Sequence, residues 1–321
     1  MMMQNKIKTY TLLLFSILLI VIKPCNAIFE GTANANIFIK MSEQHGDFGK
    51  LALWHEAAAE CINLISVPMN EIALNYYKRQ GYDKWVARAE KEALEIQEQR
   101  QFHLKRAKAA WKKSKTTEAV LQAEREKISK FIATWLPHYP NRFYNFGIYA
   151  TFFTELQERA EQKKDYAKIL HLEADAAEMC AAQYEKIPIA YGLKNYVQLR
   201  DAYLRHATLL RTLASQSPNT LPPGVNIGKH IRNRRPKPQI TPLKKADKIL
   251  HIAKSNPRIK AALADQKGVR EYAWFQGFAW TVSFYNHGWG NLAIGIIDDK
   301  TGKVVDVLKG EPETGELELL D

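Results

Sequence analysis

The chain of 321 residues has little cysteine and lacks the motifs of several common enzyme classes. Its three cysteines are Cys25, Cys61 and Cys180, too few to frame a disulfide-rich scaffold. It contains no Gly-x-Ser-x-Gly, no phosphate-binding loop and no Cys-x-x-Cys-His. These absences argue against serine hydrolases of that type, P-loop nucleotide enzymes and c-type haem proteins, and we expect no cofactor.

A long hydrophobic run is also missing. The apolar stretch over residues 11–22 holds about a dozen residues, whereas a membrane span needs roughly 20. Lys6 and Lys8 precede it and Cys25-Asn26-Ala27 follows, which is the layout of a secretory signal peptide. We predict a signal peptide over 1–27 and an exported protein, periplasmic or extracellular. The alternative is an uncleaved signal that anchors the chain in the inner membrane.

Removal of the signal leaves nearly three hundred residues, enough for two domains and for a hydrophobic core that needs no disulfides. Cys61 and Cys180 remain, and both fall on predicted helices. The two either form a disulfide in an oxidising compartment or stay as buried free thiols. The sequence leaves both alternatives open.

Acidic residues are scarce over one long stretch. Subtracting the three lysines of the signal from the formal net charge of +12 leaves +9. Over residues 229–260, eleven basic residues are opposed by Asp247 alone, whereas the tail over 311–321 is acidic. An exported basic segment favours a protein partner or an anionic envelope component over nucleic acid. Membrane contact is expected only through the signal segment or through peripheral charge, and the alternative is a solvated linker.

Glycine and proline are sparse over residues 48–213, where Ala, Leu, Glu, Lys, Gln and Arg dominate. We predict helices nearly throughout. The segment over 83–135 is one long helix or two helices joined near 114–117. Other breaks are predicted at Val67-Pro68, Gln80-Gly81, Leu136-Pro137 and Ile187-Pro188.

Three similar motifs each open an alanine-rich helix: Gly46-Asp47-Phe48-Gly49-Lys50, Gln80-Gly81-Tyr82-Asp83-Lys84 and Lys164-Asp165-Tyr166-Ala167-Lys168. Gly46 and Gly81 are about one tetratricopeptide period apart. The first motif, with Leu51, Trp54 and Ala58 downstream, resembles the start of the second helix of that repeat. We therefore predict an all-α domain over 28–214, either tetratricopeptide-like or an irregular bundle.

The pattern changes after a basic, proline-containing linker over 215–242. Ala246, Ile249, Leu250 and Ala253 stand at helical spacing, a break is predicted at Asn256-Pro257, and a second short helix is predicted over 257–263. Three strands follow over 280–285, 292–297 and 304–308. The first strand alternates as expected when one face is buried, and Asp298 to Gly302 form a turn. The fold class is therefore α+β, a helical domain followed by a small helix plus a three-stranded antiparallel meander.

This last region resembles a PepSY-like domain over 243–310. The resemblance rests on Ala246-x-x-Ile249-Leu250-x-x-Ala253-x-x-Asn256-Pro257, on Trp280-Thr281-Val282-Ser283-Phe284, and on Asp298-Asp299-x-Thr301-Gly302-Lys303-Val304-Val305. PepSY-like domains are small non-enzymatic units of exported bacterial proteins and protease propeptides, thought to bind or inhibit. The resemblance implies a binding module that modulates an envelope protease. An aromatic stretch over 272–278 departs from the family pattern.

We predict a non-enzymatic interaction or binding protein of the bacterial cell envelope. Its candidate binding surface combines aromatic and basic side chains, namely Tyr272, Trp274, Phe278, Trp280, Arg232, Arg234 and Arg235. Asp298 and Asp299 are interpreted as turn formers, because adjacent strand residues point to opposite faces.

The alternative function is a hydrolase or metal-binding protein that uses acidic and histidine side chains of the helical domain. The candidates are His55, Glu56 and Glu60, or His171 with Asp175. The zincin motif requires a second histidine at position 59, which is alanine, so no metal site is predicted at His55.

Overall fold

The computed structural model describes residues 30–137, 147–186, 196–216, 242–286, 291–310 and 317–319. The chain is mainly helical with a C-terminal antiparallel sheet, which confirms the predicted α+β class. A π-helical segment, Ile62–Ser66, joins the second helix to the third. The α-helices are α1 Glu30–Gln44, α2 Phe48–Cys61, α3 Val67–Gln80, α4 Asp83–Trp111, α5 Glu118–Trp135, α6 Gly147–Gln162, α7 Tyr166–Lys186, α8 Tyr196–Gln216, α9 Ala246–Ser255 and α10 Pro257–Leu263.

Each of the three repeated motifs turns the chain from one helix into the next. Gly46, Gly81 and Lys164 have φ values of 65°, 70° and 56°, in the left-handed region that favours glycine. Asp47 and Asp165 then accept a hydrogen bond from a backbone N–H of the following helix. The motifs therefore open helices, as predicted. The tetratricopeptide resemblance itself stays a prediction.

The long segment over 83–135 is two helices, α4 and α5, joined over 112–117. The alternative of two helices is therefore confirmed. The break at Gln80-Gly81 is also confirmed, since α3 ends there in a left-handed glycine. Helices α5 and α7 end just before the proline-containing breaks, whose further residues, 138–146 and 187–195, lie outside the described residues.

The break predicted at Val67-Pro68 is wrong, because the chain stays helical over 48–80. Proline lacks an N–H and its ring clashes with the carbonyl four residues back. The π-helical segment widens the helix just before this proline, where the N–H of Val67 donates to Ile62 five residues back. The carbonyl of Leu64, which Pro68 has no N–H to reach, accepts from the side-chain amide of Gln183 on α7 at 3.4 Å.

The three predicted strands are present as β2 Ala279–Tyr285, β3 Asn291–Asp298 and β4 Val304–Gly310. The prediction of three strands misses a fourth, β1 Arg270–Phe275, which the aromatic stretch forms by pairing with β2. A short strand, β5 Leu317–Leu319, adds to the far edge. The order is β1-β2-β3-β4-β5, and every neighbouring pair is antiparallel.

The sheet is covered on both faces. On one face, Trp280, Val282 and Phe284 pack with α9 and α10 in one apolar cluster. On the other face, Ala279 and Ile294 join the core of the helical layer, which helices α1 to α8 form. The expectation of a single buried face is therefore wrong, and β2 is buried over 279–284. Both buried polar side chains of β2 are hydrogen-bonded, as buried hydroxyl groups usually are. Thr281 accepts from the side-chain amide of Gln276, and Ser283 donates to the side-chain oxygen of Asn291.

The turn between β1 and β2 fixes the sheet to the helical layer. Trp135 of α5 donates its indole N–H to the side-chain oxygen of the buried Gln276 at 2.6 Å. The next residue, Gly277, has a φ of 89°, and a Cβ there would lie 2.4 Å from the carbonyl oxygen of Lys130. Only glycine fits this close approach of the turn to α5. The contact holds the sheet beside the helices and leaves a cleft next to it.

Candidate binding cleft between the helices and the sheet

A cleft of about 480 Å³ opens between the helical layer and the sheet. Its size falls within the range of roughly 300 to 1,000 Å³ that is typical of small-molecule sites. Helices α1, α2, α5 and α10 and strands β2 to β4 contribute to its walls. The lining residues are Phe38, Met41, Ser42, His45, Asp47, Lys50, Trp54, Glu124, Lys127, Arg258, Phe278, Ala279, Ile296, Asp298, Val305 and Asp306.

Aromatic rings form the apolar floor of the cleft. Phe38 and Trp54 are stacked, with ring centroids 4.3 Å apart and an interplanar angle of 17°. Phe278, from the turn before β2, lies 5.3 Å from Phe38 and 6.3 Å from Trp54. Phe38 and Trp54 are buried and Phe278 is half-buried. The floor is therefore apolar, and Phe278 is its most exposed ring, against which a ligand can exclude water.

The carboxylate of Glu124 on α5 lies below the surface of the cleft. One of its oxygens accepts the indole N–H of Trp54 at 2.8 Å, and the other is 2.9 Å from Nζ of Lys127. The carboxylate is buried, whereas the ammonium of Lys127 is half-exposed. Glu124 thus orients the floor tryptophan and holds a cation at the surface.

Asp306 interrupts the apolar strand β4 and is buried. Its Oδ2 lies 2.9 Å from Nε2 of His45, and its Oδ1 accepts the N–H of Val307 at 2.8 Å. A guanidinium nitrogen of Arg258 lies 3.7 Å from Oδ1. The Nε of Arg258 is buried and has no hydrogen-bond partner within the described part of the chain. Both basic side chains are more exposed than the carboxylate between them.

Two further carboxylates complete the walls. Asp47 accepts hydrogen bonds from the N–H of Lys50 and the hydroxyl of Thr116, and it is 2.9 Å from Nζ of Lys50. Burial raises the pKa of Asp47, but these hydrogen bonds and the lysine charge outweigh that effect and lower the pKa overall. Hydrogen bonds from Thr301 likewise lower the pKa of Asp298. Both carboxylates are ionised at neutral pH.

The four aromatic residues of the predicted binding surface lie in three different places. Tyr272 is exposed, and its ring lies 5.3 Å from that of the half-buried Trp274. Phe278 lines the cleft floor. Trp280 is only 5% exposed and donates its indole N–H to Asp299, on the face that α9 and α10 cover. Helices α9 and α10 therefore cover Trp280, on the face of the sheet opposite the cleft, and the predicted binding surface itself stays a prediction.

The three basic residues of the predicted surface, Arg232, Arg234 and Arg235, lie outside the described residues. The predicted signal peptide over 1–27 and most of the linker over 215–242 do so as well. A role for this basic segment stays a prediction.

The interpretation of both aspartates at the β3–β4 turn as turn formers holds for only one of them. Asp298 accepts the N–H of Thr301 at 2.6 Å, as a turn former does. Asp299 is buried and accepts the N–H groups of Leu243 and Lys244 together with the indole N–H of Trp280. It therefore fixes the chain that leads into α9 to the sheet.

The helical residues proposed for a hydrolase have separate partners. His55 is buried with its Nδ1 3.0 Å from Nδ1 of His103, and burial lowers the pKa of both imidazoles to about 4. Glu56 accepts the indole N–H of Trp111 at 2.6 Å. Glu56 and Glu60 line a second groove, between α2, α4 and α5. His55 and Glu56 thus point to different partners.

The second set, His171 with Asp175, lies on α7, where Asp175 has its own partners. The carboxylate of Asp175 accepts the hydroxyl of Tyr76 at 2.6 Å and a guanidinium N–H of Arg211 at 2.8 Å. Among the residues described, no group of three or more histidine, cysteine, aspartate or glutamate side chains is arranged to hold a metal ion.

Both cysteines on helices are buried free thiols, so the disulfide alternative for Cys61 and Cys180 is not realised. Burial raises the pKa of Cys61 to about 12, so the group is a neutral thiol at physiological pH. It acts as a small apolar side chain in the core.

Sequence reasoning missed most of the cleft. Its walls come from residues as far apart as Phe38 and Asp306, which only the tertiary fold brings together. One local signal was available, since Asp306 stands between valines in an otherwise apolar strand. A buried acid in such a position needs partners, here His45 and Arg258.

No helix in the described ranges is long and apolar enough to cross a membrane. Comparison with protein-family models, with curated proteins and with solved structures finds no match to this chain.

Proposed function

We propose that this chain is an exported, non-enzymatic binding protein of the bacterial cell envelope and that its ligand occupies the cleft between the helices and the sheet. The observation that carries the proposal is the composition of the cleft, which pairs an aromatic floor with charged walls. Such a surface binds one end of a ligand by burial of apolar area and orients the other by polar contacts.

The polar groups of the cleft favour binding over chemistry. Glu124, Asp306 and Asp47 each already accept hydrogen bonds or contact a basic side chain. A general base must be oriented towards the proton that it removes. These carboxylates are instead engaged in positioning the neighbouring side chains.

Export and the bacterial envelope are inferred from the predicted signal peptide, and a binding role also agrees with the PepSY-like resemblance over 243–310. The family resemblance alone supports modulation of a protease. The cleft supports a smaller ligand, because its volume of about 480 Å³ suits a compact molecule or the end of a longer one.

A tryptophan at the rim of the cleft tests the proposal. Val305 lines the cleft and is 59% exposed, so Val305→Trp narrows the entrance without disturbing the core. Leu94→Trp adds the same ring on α4, where the leucine is 67% exposed and away from the cleft. The protein is purified from a bacterial envelope fraction and denatured, and the released small molecules are identified by mass spectrometry. The identified molecules are then added to the wild type and to both variants.

We expect the returned ligand to raise the melting temperature of the wild type and of Leu94→Trp, and to raise that of Val305→Trp by less than half as much. Equal increases in the melting temperature of all three proteins would show that the ligand does not bind in the cleft. A change in the mass of the ligand after incubation would show turnover and would establish an enzyme instead.

A further inference from the structure

Three of the four carboxylates that line the cleft lie inside a more exposed basic group. In four contacts between an acid and a base, the carboxylate lies inside and the basic group outside. The side chains of Glu124, Asp306 and Asp47 are 6% to 21% exposed, whereas those of their basic partners are 34% to 54% exposed. The partners are Lys127, His45, Arg258 and Lys50. At these four contacts a molecule that enters the cleft meets N–H donors before it meets carboxylates.

One of these donors lacks a partner. The Nε of Arg258 is buried without a hydrogen bond within the described ranges, and its nearest contact to Asp306 is long, at 3.7 Å. A guanidinium has five N–H donors, and a buried donor left unpaired is costly. The side chain as a whole is 35% exposed, so its outer N–H groups can contact a planar oxyanion of a ligand, whose geometry matches the guanidinium edge.

The total charge of the lining decides how many anionic groups the ligand has. The lining holds four carboxylates, Asp47, Glu124, Asp298 and Asp306, against the cations Lys50, Lys127 and Arg258 and the histidine His45. Because the basic groups do not outnumber the carboxylates, the cleft has no excess of positive charge to attract a polyanion or a phosphate dianion. A single carboxylate needs only the local contacts of the outer N–H donors.

We infer that the cleft binds an amphiphilic monoanion, a molecule with one carboxylate on an aromatic or aliphatic body. The carboxylate contacts Arg258 and the outer cations, and the body lies on the rings of Phe38, Trp54 and Phe278. This inference rests on the proposed function, because it names the chemical class of the ligand that occupies the same cleft.

Calorimetric titration of the full protein with paired probes tests the inference. Indolepropionate and dodecanoate supply an aromatic and an aliphatic body with one carboxylate. Indolepropionamide and dodecanol have the same bodies without charge, acetate has the head group alone, and tryptophan adds an ammonium group. The variants are Arg258→Gln, Arg258→Lys and the control Arg159→Gln on α6, whose arginine is also paired with a carboxylate but is 68% exposed.

We expect at least one of the two carboxylates to bind the wild type about tenfold more tightly than its uncharged match, since a hydrogen bond to a charged group is worth about that factor. Arg258→Gln should remove most of this difference, Arg258→Lys should retain part of it, and Arg159→Gln should leave it unchanged. Equal melting temperatures of the unliganded proteins establish that the variants are folded.

Several results would overturn the inference. Equal binding of charged and uncharged probes would show a purely apolar site, and acetate binding as tightly as the larger carboxylates would show a simple anion site. Tighter binding of tryptophan than of indolepropionate would show a zwitterionic ligand. If no probe binds, but the envelope ligand still raises the melting temperature of Val305→Trp less than that of Leu94→Trp, the monoanion is refuted and the proposed function is not. Failure of both experiments would refute the two together.

Discussion

Replacement of Asp299 by alanine is expected to destabilise the protein by about 3 to 5 kcal/mol. Three donors point at this buried carboxylate: the N–H of Leu243 at 2.9 Å, the N–H of Lys244 at 3.1 Å and the indole N–H of Trp280 at 2.8 Å. Hydrogen bonds to charged groups contribute about 1.5 to 3 kcal/mol each. Because all three share one acceptor, their contributions are not additive, and the expected loss is smaller than their sum.

The neighbouring Asp298 provides a matched control. Its side chain is partly exposed, and it accepts the N–H of Thr301 within the turn. We expect Asp298→Ala to cost about 1 kcal/mol, the value of an ordinary hydrogen bond. Asp299→Asn keeps one good acceptor oxygen and should fall between the two alanine variants.

Urea unfolding, followed by circular dichroism and by tryptophan fluorescence, measures the free energy of unfolding of each variant. Similar losses for Asp298→Ala and Asp299→Ala would show that both residues only shape the turn. That result would refute the role of Asp299 as the anchor of the chain segment before α9.

Three further predictions concern the packing of the two layers and a buried histidine pair. Gly277→Ala should cost more than about 2 kcal/mol, because it combines a positive φ with a clash against α5. Trp54→Phe should cost about 1 to 2 kcal/mol, because it leaves a buried carboxylate oxygen without its N–H donor. The pKa of His55 and of His103 is about 4 in the folded protein, below the usual 6.5, so the unfolded chain takes up these protons first. Stability should therefore fall as the pH drops from 6.5 towards 4, by about 3 kcal/mol after allowance for solvent screening, and thermal melting against pH should show it.

Each of these predictions has a control in the same chain. Gly46→Ala places a Cβ in open space at a similar φ of 65° and should cost about 1 kcal/mol. Trp111→Phe removes an indole hydrogen bond at an exposed site and should cost less than about 0.5 kcal/mol. The double substitution His55→Gln with His103→Gln should flatten the pH dependence. Equal costs for the two glycines or the two tryptophans, or an unchanged pH profile, would contradict the respective reasoning.

The elements that local residues determine could be predicted from the sequence. The break between α9 and α10 is one example, since the side chain of Asn256 caps α10 by accepting the N–H groups of Arg258 and Ile259. Strands β2 to β4 are another, because they consist of apolar residues between residues that favour turns. In both examples the sequence pattern and the interactions that it reports lie within a few residues of each other.

The features that sequence reasoning missed depend on distant partners. Pro68 is accommodated by a π-helical segment that no local rule places there. Strand β1 lies in the aromatic stretch and forms by pairing with β2. Burial of both faces of β2 requires α9 and α10 on one side and the helical layer on the other. The cleft follows from the same packing, so its residues share no motif.

The shared core has a consequence for how the C-terminal part can be separated from the rest. A chain limited to residues 243–310 would expose Ala279, Ile294, Ile296 and Leu308, which the helical layer buries in the whole protein. It would also leave Gln276 without the indole of Trp135. Such a fragment would expose an apolar surface and would tend to self-associate. The sheet is therefore not a portable module, and a gene fusion or truncation that keeps it functional must carry helices α1, α2 and α5 with it.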